Sequence, residues 1–257
     1  MTGDPVPARL AAYYENLDAG RMEAAAAQYS DDAQYIVPFA GSQESDPPNV
    51  VGASELKAYF DRRGHLPYRH EILFSAVEGE HAFVEGVSVL AGSGHRDRSF
   101  VASVTLASDG RIRRYLAYAA ASTIDPSPPT ETRSDHDAHA VVDRYFNALR
   151  EARFEDAAAC LSEDCLYSHP PYRHTQIKDP NRVELHGRDA LLANFNRRGP
   201  ASFGYRMDAF VQRGPNAMFE QAVVGLPGGK DGLSMGSLTL AGNGLIRRYA
   251  AFYFDPA

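Results

Sequence analysis

The sequence predicts an α+β fold built twice in tandem, each copy setting three helices against a curved, mainly antiparallel sheet. Three observations predict it: a self-match running through the chain, apolar positions at helical spacing early in each copy, and alternating segments late in each copy. The self-match comes first, because an overlooked duplication would misplace everything else.

Leu10, Tyr13, Leu17, Ser30, Asp32, Tyr35 and Pro38 meet Val142, Tyr145, Leu149, Ser162, Asp164, Tyr167 and Pro170 at a constant offset of 132. Beyond Pro170 the second copy is three residues longer, and an offset of 135 pairs Gly52, Leu56, Phe60, Arg62, Arg63 and Gly64 with Gly187, Leu191, Phe195, Arg197, Arg198 and Gly199. Near the end Gly110-Arg111-Ile112-Arg113-Arg114-Tyr115 matches Gly244-Leu245-Ile246-Arg247-Arg248-Tyr249 at 134, with Ser103 and Thr105 on Ser237 and Thr239. Between the copies, residues 122–135 are polar and carry Pro126, Pro128 and Pro129. Proline lacks the amide donor and stiffens the chain, so this stretch reads as a linker between domains 1–121 and 136–257.

Within each copy the elements follow in one order: helix, helix, short strand, loop, helix, then four strands. Leu10, Tyr13 and Leu17, and Val142, Tyr145 and Leu149, give the first helix one apolar face. Met22-Glu23-Ala24-Ala25-Ala26 and Phe154-Glu155-Asp156-Ala157-Ala158 carry the second. The third begins after Gly52 or Gly187 and stops at Arg-Arg-Gly, where glycine takes the left-handed cap and the arginines complement the helix's negative end. In Phe83-Val84-Glu85-Gly86-Val87-Ser88-Val89 the residues Phe83, Glu85, Val87 and Val89 share a strand face.

Composition narrows the function classes. Apolar residues make up 44% of the 257 and charged residues 23%, which fits a packed core rather than disorder. A net charge of −7 with dispersed arginines argues against nucleic acid and against an anionic membrane surface. The chain has no apolar run near the ~20 residues needed to span a bilayer and does not open like a signal peptide, so a cytoplasmic location is expected. Cys160 and Cys165, at a helix end and the turn after it, form neither a disulfide pattern nor a metal set, and a small buried thiol is the ordinary reading.

Val141-Val142-Asp143-Arg144-Tyr145-Phe146-Asn147-Ala148-Leu149, followed by Phe154-Glu155-Asp156 and Ser162-Glu163-Asp164-Cys165, resembles the opening of ketosteroid isomerases and SnoaL-type polyketide cyclases of the nuclear transport factor 2-like (NTF2-like) superfamily. The resemblance implies small cone-shaped folds. It also implies that Tyr145 (Tyr13 in the first copy) sits where those isomerases bind the enolate oxygen, and His169 (Val37) where they keep the general base. The second oxyanion donor would fall at about Gly236 and Ala102, neither of which donates through a side chain. On this likeness the second copy is the candidate active one and the first is degenerate.

His169 is the leading catalytic candidate, because imidazole titrates near neutrality; at a strand end before two prolines it also suits a turn. Tyr145 is a core ring by its helical spacing and, paired with His169, a donor to a substrate oxygen. Glu220 and its counterpart Glu85 lie on apolar strand faces, either as catalytic carboxylates or in cross-strand pairs with the Ile-Arg-Arg-Tyr arginines. Tyr167, with Tyr172, Arg173 and His174 of the inserted loop, are candidate substrate contacts, although loops are also polar for solvation alone. His169, His174 and His186 lack metal-ligand spacing, and no glycine-rich phosphate cradle is present, so neither metal nor cofactor is expected.

The expectation is a cofactor-independent isomerase, cyclase or dehydratase acting on a hydrophobic, oxygenated small molecule, the alternative being a non-catalytic small-molecule binder. Single-domain relatives often pair through their sheets, so the two copies are expected to form an intramolecular pseudo-dimer within a monomeric chain.

Overall fold

A computed structural model describes residues 4–37, 49–120, 136–169, 183–200, 203–226, 229 and 231–254. The chain divides into two units, Gly3–Pro126 and Ser127–Ala257. In the first, α1 (Ala8–Asp18), α2 (Met22–Ala26), β1 (Tyr29–Ile36), β2 (Asn49–Val51), α3 (Ala53–Arg63), β3 (Tyr68–Glu78), β4 (His81–Leu90), β5 (Arg96–Leu106) and β6 (Ile112–Ala120) follow in order. The second repeats them as α4 (Ala138–Arg150), α5 (Phe154–Ala159), β7 (Leu161–His169), β8 (Val183–His186), α6 (Arg188–Arg198), β9 (Gly204–Arg213), β10 (Asn216–Val224), β11 (Gly232–Leu240) and β12 (Ile246–Phe254).

Each unit forms one six-stranded sheet, ordered β2-β1-β6-β5-β4-β3 and β8-β7-β12-β11-β10-β9. Four of the five pairings are antiparallel; β1 runs parallel to β6, and β7 to β12. This is the expected α+β cone, present twice. Two details differ from the sequence reading. The short strands β2 and β8 lie in what reads as loop, and their three and four residues are too few for alternation to show. Cys165 belongs to β7 rather than to a turn, because the strand starts directly after the α5 cap at Cys160.

Why the helices end where they do is visible in their caps. Gly52 and Gly187 precede α3 and α6 at φ of 93° and 89°, and Gly64 and Gly199 follow them at 69° and 74°, all conformations that favour glycine. Each core draws on its own unit. Leu10, Tyr13, Leu17, Leu56 and Phe60 of the first pack against Val84, Ala102 and Val104, while Val142, Tyr145, Leu149, Leu191 and Phe195 of the second pack against Ala217, Phe219 and Leu238.

Candidate functional site

The interior of the first unit is walled by tyrosines. Tyr13 packs its ring against Tyr14, Tyr29, Phe60 and Tyr115, and Tyr35 stacks on Tyr115 at 5.3 Å and 7°. Such aromatic pairs contribute about 0.5–1.5 kcal/mol each beyond their burial, so the wall is rigid. The hydroxyls of Tyr14 and Tyr115 lie 3.0 Å apart in one hydrogen bond. Burial pushes the phenols of Tyr13, Tyr14, Tyr29, Tyr35 and Tyr115 above the ordinary tyrosine range, so all five stay neutral at any moderate pH.

This wall bounds a hollow of about 90 Å³, into which the ends of α1 and α3 bring Asp18 and Arg63, and β3, β4 and β5 bring His70, Ser88 and Arg98. Asp18 is the last residue of α1 and His70 the third of β3. Histidine Nδ1 lies 2.6 Å from Asp18 Oδ1, and the His70 backbone N–H donates to Asp18 Oδ2 at 2.8 Å. A carboxylate facing Nδ1 places the proton there and leaves Nε2 as the basic nitrogen. The imidazole lies between Tyr14, 5.2 Å away, and Phe100, 5.4 Å away at 80°. Phe100 can approach because Gly86 lies beneath it: a methyl group at Gly86 would come within 2.5 Å of Phe100 Cζ.

Strand register explains why this constellation belongs to one unit. His70, Ser88 and Arg98 are direct partners across β3, β4 and β5. The same three places in the second unit, also direct partners, hold Tyr205, Val223 and Gly232. Asp18 corresponds to Arg150, which donates to Asn147 on the exposed face of α4. Tyr205 packs against Phe146 at 4.4 Å with the rings tilted by 43°, so aromatic packing takes the place of the Asp18–His70 pair. Tyr13, Tyr35 and Tyr115 recur as Tyr145, Tyr167 and Tyr249, whereas Tyr14 and Tyr29 give way to Phe146 and Leu161, and the polar row has no counterpart at these places in the second unit.

The sequence-expected site of the second unit is buried. His169 and Tyr145 are each 1% exposed. The path between their rings runs through two others, from His169 to Tyr167 at 5.6 Å, to Tyr249 at 5.3 Å, and to Tyr145 at 5.8 Å. Burial raises the Tyr145 and Tyr249 phenols well above their usual range. Phe219 fills the space over Gly236, where any added methyl would collide with its ring, and stacks on Phe210 and Tyr249. Glu220 is buried beside Phe219 in sequence, but strand alternation puts it with Met218 on the face opposite the Tyr145 core, and Glu85 likewise shares its face with Phe83. Tyr172, Arg173 and His174 lie outside the described residues.

Cys160 and Cys165 are both free, and burial pushes the Cys165 thiol up to about 11. Among the described residues, no three His, Cys, Asp or Glu side chains group as a metal would require. No helix among them is long and apolar enough to cross a membrane.

Asp18 and His70 are 52 residues apart, and nothing local marks either one. The signal available in the sequence is their asymmetry between copies: Asp18 against Arg150, and His70 against Tyr205.

Residues 10–115, which include Asp18, His70 and most of the hollow's lining, match the family model described as SnoaL-like domain. The first unit is a SnoaL-like domain. Three solved structures are similar to this chain over about one unit each. An NTF2-like protein of unknown function from Burkholderia xenovorans shares 14% identity, covering 47% of this chain and 84% of its own, with a TM-score of 0.37. A protein with a ketosteroid isomerase-like fold from Catenulispora acidiphila, in complex with trimethylamine, shares 12% over 44% and 86%, with a TM-score of 0.35. An epoxide hydrolase from M. tuberculosis, described as LEH-like, shares 18% over 46% and 82%, with a TM-score of 0.35. No curated protein matches the chain.

Proposed function

We propose that the SnoaL-like unit catalyses proton transfer on a small oxygenated molecule, with His70 as the base and Asp18 as its positioning partner. The observation that carries this reading is the 2.6 Å contact between His70 Nδ1 and Asp18 Oδ1 at the wall of a tyrosine-lined hollow. His70 Nε2 takes a proton from a carbon beside a carbonyl. The electron pair of the broken C–H bond moves onto the carbonyl oxygen, and a neutral phenol of the wall donates to that oxygen. Returning the proton to another carbon completes an isomerisation; expelling a neighbouring hydroxyl as water completes a dehydration. The buried phenols support the scheme because, held neutral by burial, they remain donors.

Deuterium exchange into small enolisable ketones and keto acids, followed by proton NMR in D₂O, tests it. His70→Gln should slow exchange by about 10²- to 10⁴-fold, and His169→Gln should leave it unchanged. Equal exchange by the native chain and the His70 variant would remove the proposal. A ligand that co-purifies unchanged, with no exchange at all, would favour sequestration over catalysis.

A further inference from the structure

The hydroxyls of the tyrosine wall are not equivalent. Tyr13, Tyr35 and Tyr115 line the hollow and recur as Tyr145, Tyr167 and Tyr249 in the second unit, where Arg150 and Tyr205 stand at the places of Asp18 and His70. Their rings alone therefore do not mark a site for chemistry. What changes between the copies stands behind Tyr115. Tyr14, outside the lining, sets its hydroxyl 3.0 Å from that of Tyr115, and either oxygen can donate. In the second unit Phe146 takes the place of Tyr14 and has no hydroxyl to offer Tyr249. The paired hydroxyls thus occur in the same unit as the imidazole and its carboxylate. Tyr14 also joins the two groups in space, its ring 5.2 Å from His70 and its hydroxyl on Tyr115.

The Tyr115 ring is fixed on two sides. Tyr35 stacks on it at 5.3 Å and 7°, and Tyr13 meets it at 5.2 Å and 66°. The equivalent pair in the second unit, Tyr167 and Tyr249, is turned edge-on at 61°. A phenol hydroxyl has one proton to give and can also accept. When Tyr14 gives its proton to the Tyr115 oxygen, the Tyr115 proton is left for an acceptor in the hollow. A buried donor that already accepts a hydrogen bond is polarised by it, and a fixed one needs no reorganisation as negative charge develops in front of it.

We infer that Tyr115 is the catalytic phenol, donating from β6 to the substrate's carbonyl oxygen, and that Tyr14 is its positioning residue. This rests on the proton-transfer reading. It assigns the oxygen contact to β6 rather than to Tyr13 of α1, the residue that the likeness to ketosteroid isomerases implies. As His70 Nε2 removes the proton from carbon, the electron pair of the C–H bond moves onto the carbonyl oxygen. Tyr115 keeps its proton and shares it with that oxygen in a hydrogen bond that strengthens as the charge grows.

The test follows deuterium exchange at C3 of 2-butanone in D₂O, by proton NMR, with the full chain. Tyr115→Phe should lower kcat by about 10²- to 10³-fold, the usual cost of a lost oxyanion donor. KM should hardly move, because the charge that the phenol meets exists only once the C–H bond is breaking. Tyr14→Phe should lower kcat by about 3- to 10-fold, the scale of one neutral hydrogen bond, and should cost nothing more in a Tyr115→Phe background. A purely structural effect would cost the same in both backgrounds. The double variant keeps both rings and leaves neither hydroxyl buried without its partner, so it folds even where Tyr115→Phe alone is weakened; circular dichroism checks each variant. Exchange kept by Tyr115→Phe and by the double variant, a larger loss from Tyr13→Phe than from Tyr115→Phe, or an undiminished Tyr14→Phe loss in the Tyr115→Phe background overturns the inference. The two ideas fail separately. Exchange lost with His70→Gln but kept with Tyr115→Phe sinks the phenol and leaves the base. Exchange lost with Tyr115→Phe but kept with His70→Gln does the reverse, and a native chain that exchanges nothing removes both.

Discussion

His70 can serve as a base only while its ring is held in one tautomer, and Asp18 holds it from two directions, at the ring and at the backbone. Both side chains are partly exposed, at 24% and 19%, so their contact adds little to stability. Its role is orientation. Asp18→Asn should accordingly leave the fold intact and slow proton transfer by about 10- to 100-fold, the range seen when the orienting partner of a functional histidine is lost. A structural role alone would not alter the ring. The ¹⁵N shifts of His70, which report which nitrogen carries the proton, should move from one tautomer to a mixture; unchanged shifts with unchanged exchange would refute the assignment. Cys165 provides a contrast, as a thiol pushed up to about 11 by burial holds no thiolate for chemistry near neutrality.

Among the elements, β4 carries the most constraint. Its even-numbered residues face the helices, so Gly86 leaves room for Phe100 while Ser88 links His70 to Arg98 across the sheet. At Gly86 an added methyl would also meet the carbonyl oxygen of Glu71 at 2.5 Å. The obstacle includes backbone and cannot rotate away. Gly86→Ala should destabilise the first unit by about 1–3 kcal/mol, the usual cost of overpacking a core. Because Phe100 supports the imidazole, proton exchange should fall with it. Chemical denaturation checks the first effect, and a native midpoint in the variant would show that the ring has another place to go. The second unit occupies the equivalent position with Gln221 and instead opens a glycine at 236 beneath Phe219. The same fold thus accommodates a large ring from a different strand, and its interior is filled differently.

At the scale of the molecule, the two units share a topology and differ in what fills it. Burial pushes up the phenols of Tyr13, Tyr14, Tyr29, Tyr35 and Tyr115 in the first and of Tyr145 and Tyr249 in the second. The sign of the consequence is fixed. An unfolded tyrosine ionises near pH ~10, whereas these stay protonated when folded, so above that pH the unfolded state has lost protons that the native state keeps. Stability from this source is complete below the unfolded value and declines as pH rises through it. The chain should therefore lose thermal stability between pH 8 and pH 11. Scanning calorimetry at both pH values checks this, and an unchanged midpoint would contradict it.

The sequence by itself determined the duplication, the α+β class, the helix stops at Arg-Arg-Gly and the tyrosines common to both copies. These are local or repeated signals: a left-handed glycine or an apolar stripe is decided within a few residues, and a self-match needs no geometry. Only the tertiary structure decided which polar residues meet. Asp18 and His70 become neighbours because the end of α1 packs against β3, and His70, Ser88 and Arg98 align because antiparallel register brings three separate strands into step. Likewise His169 and Glu220 each look plausible as isolated letters, yet strand alternation and two intervening rings set where they lie relative to Tyr145. Long-range pairing is a property of the closed sheet, and a one-dimensional pattern carries it only as an asymmetry between two otherwise matching copies.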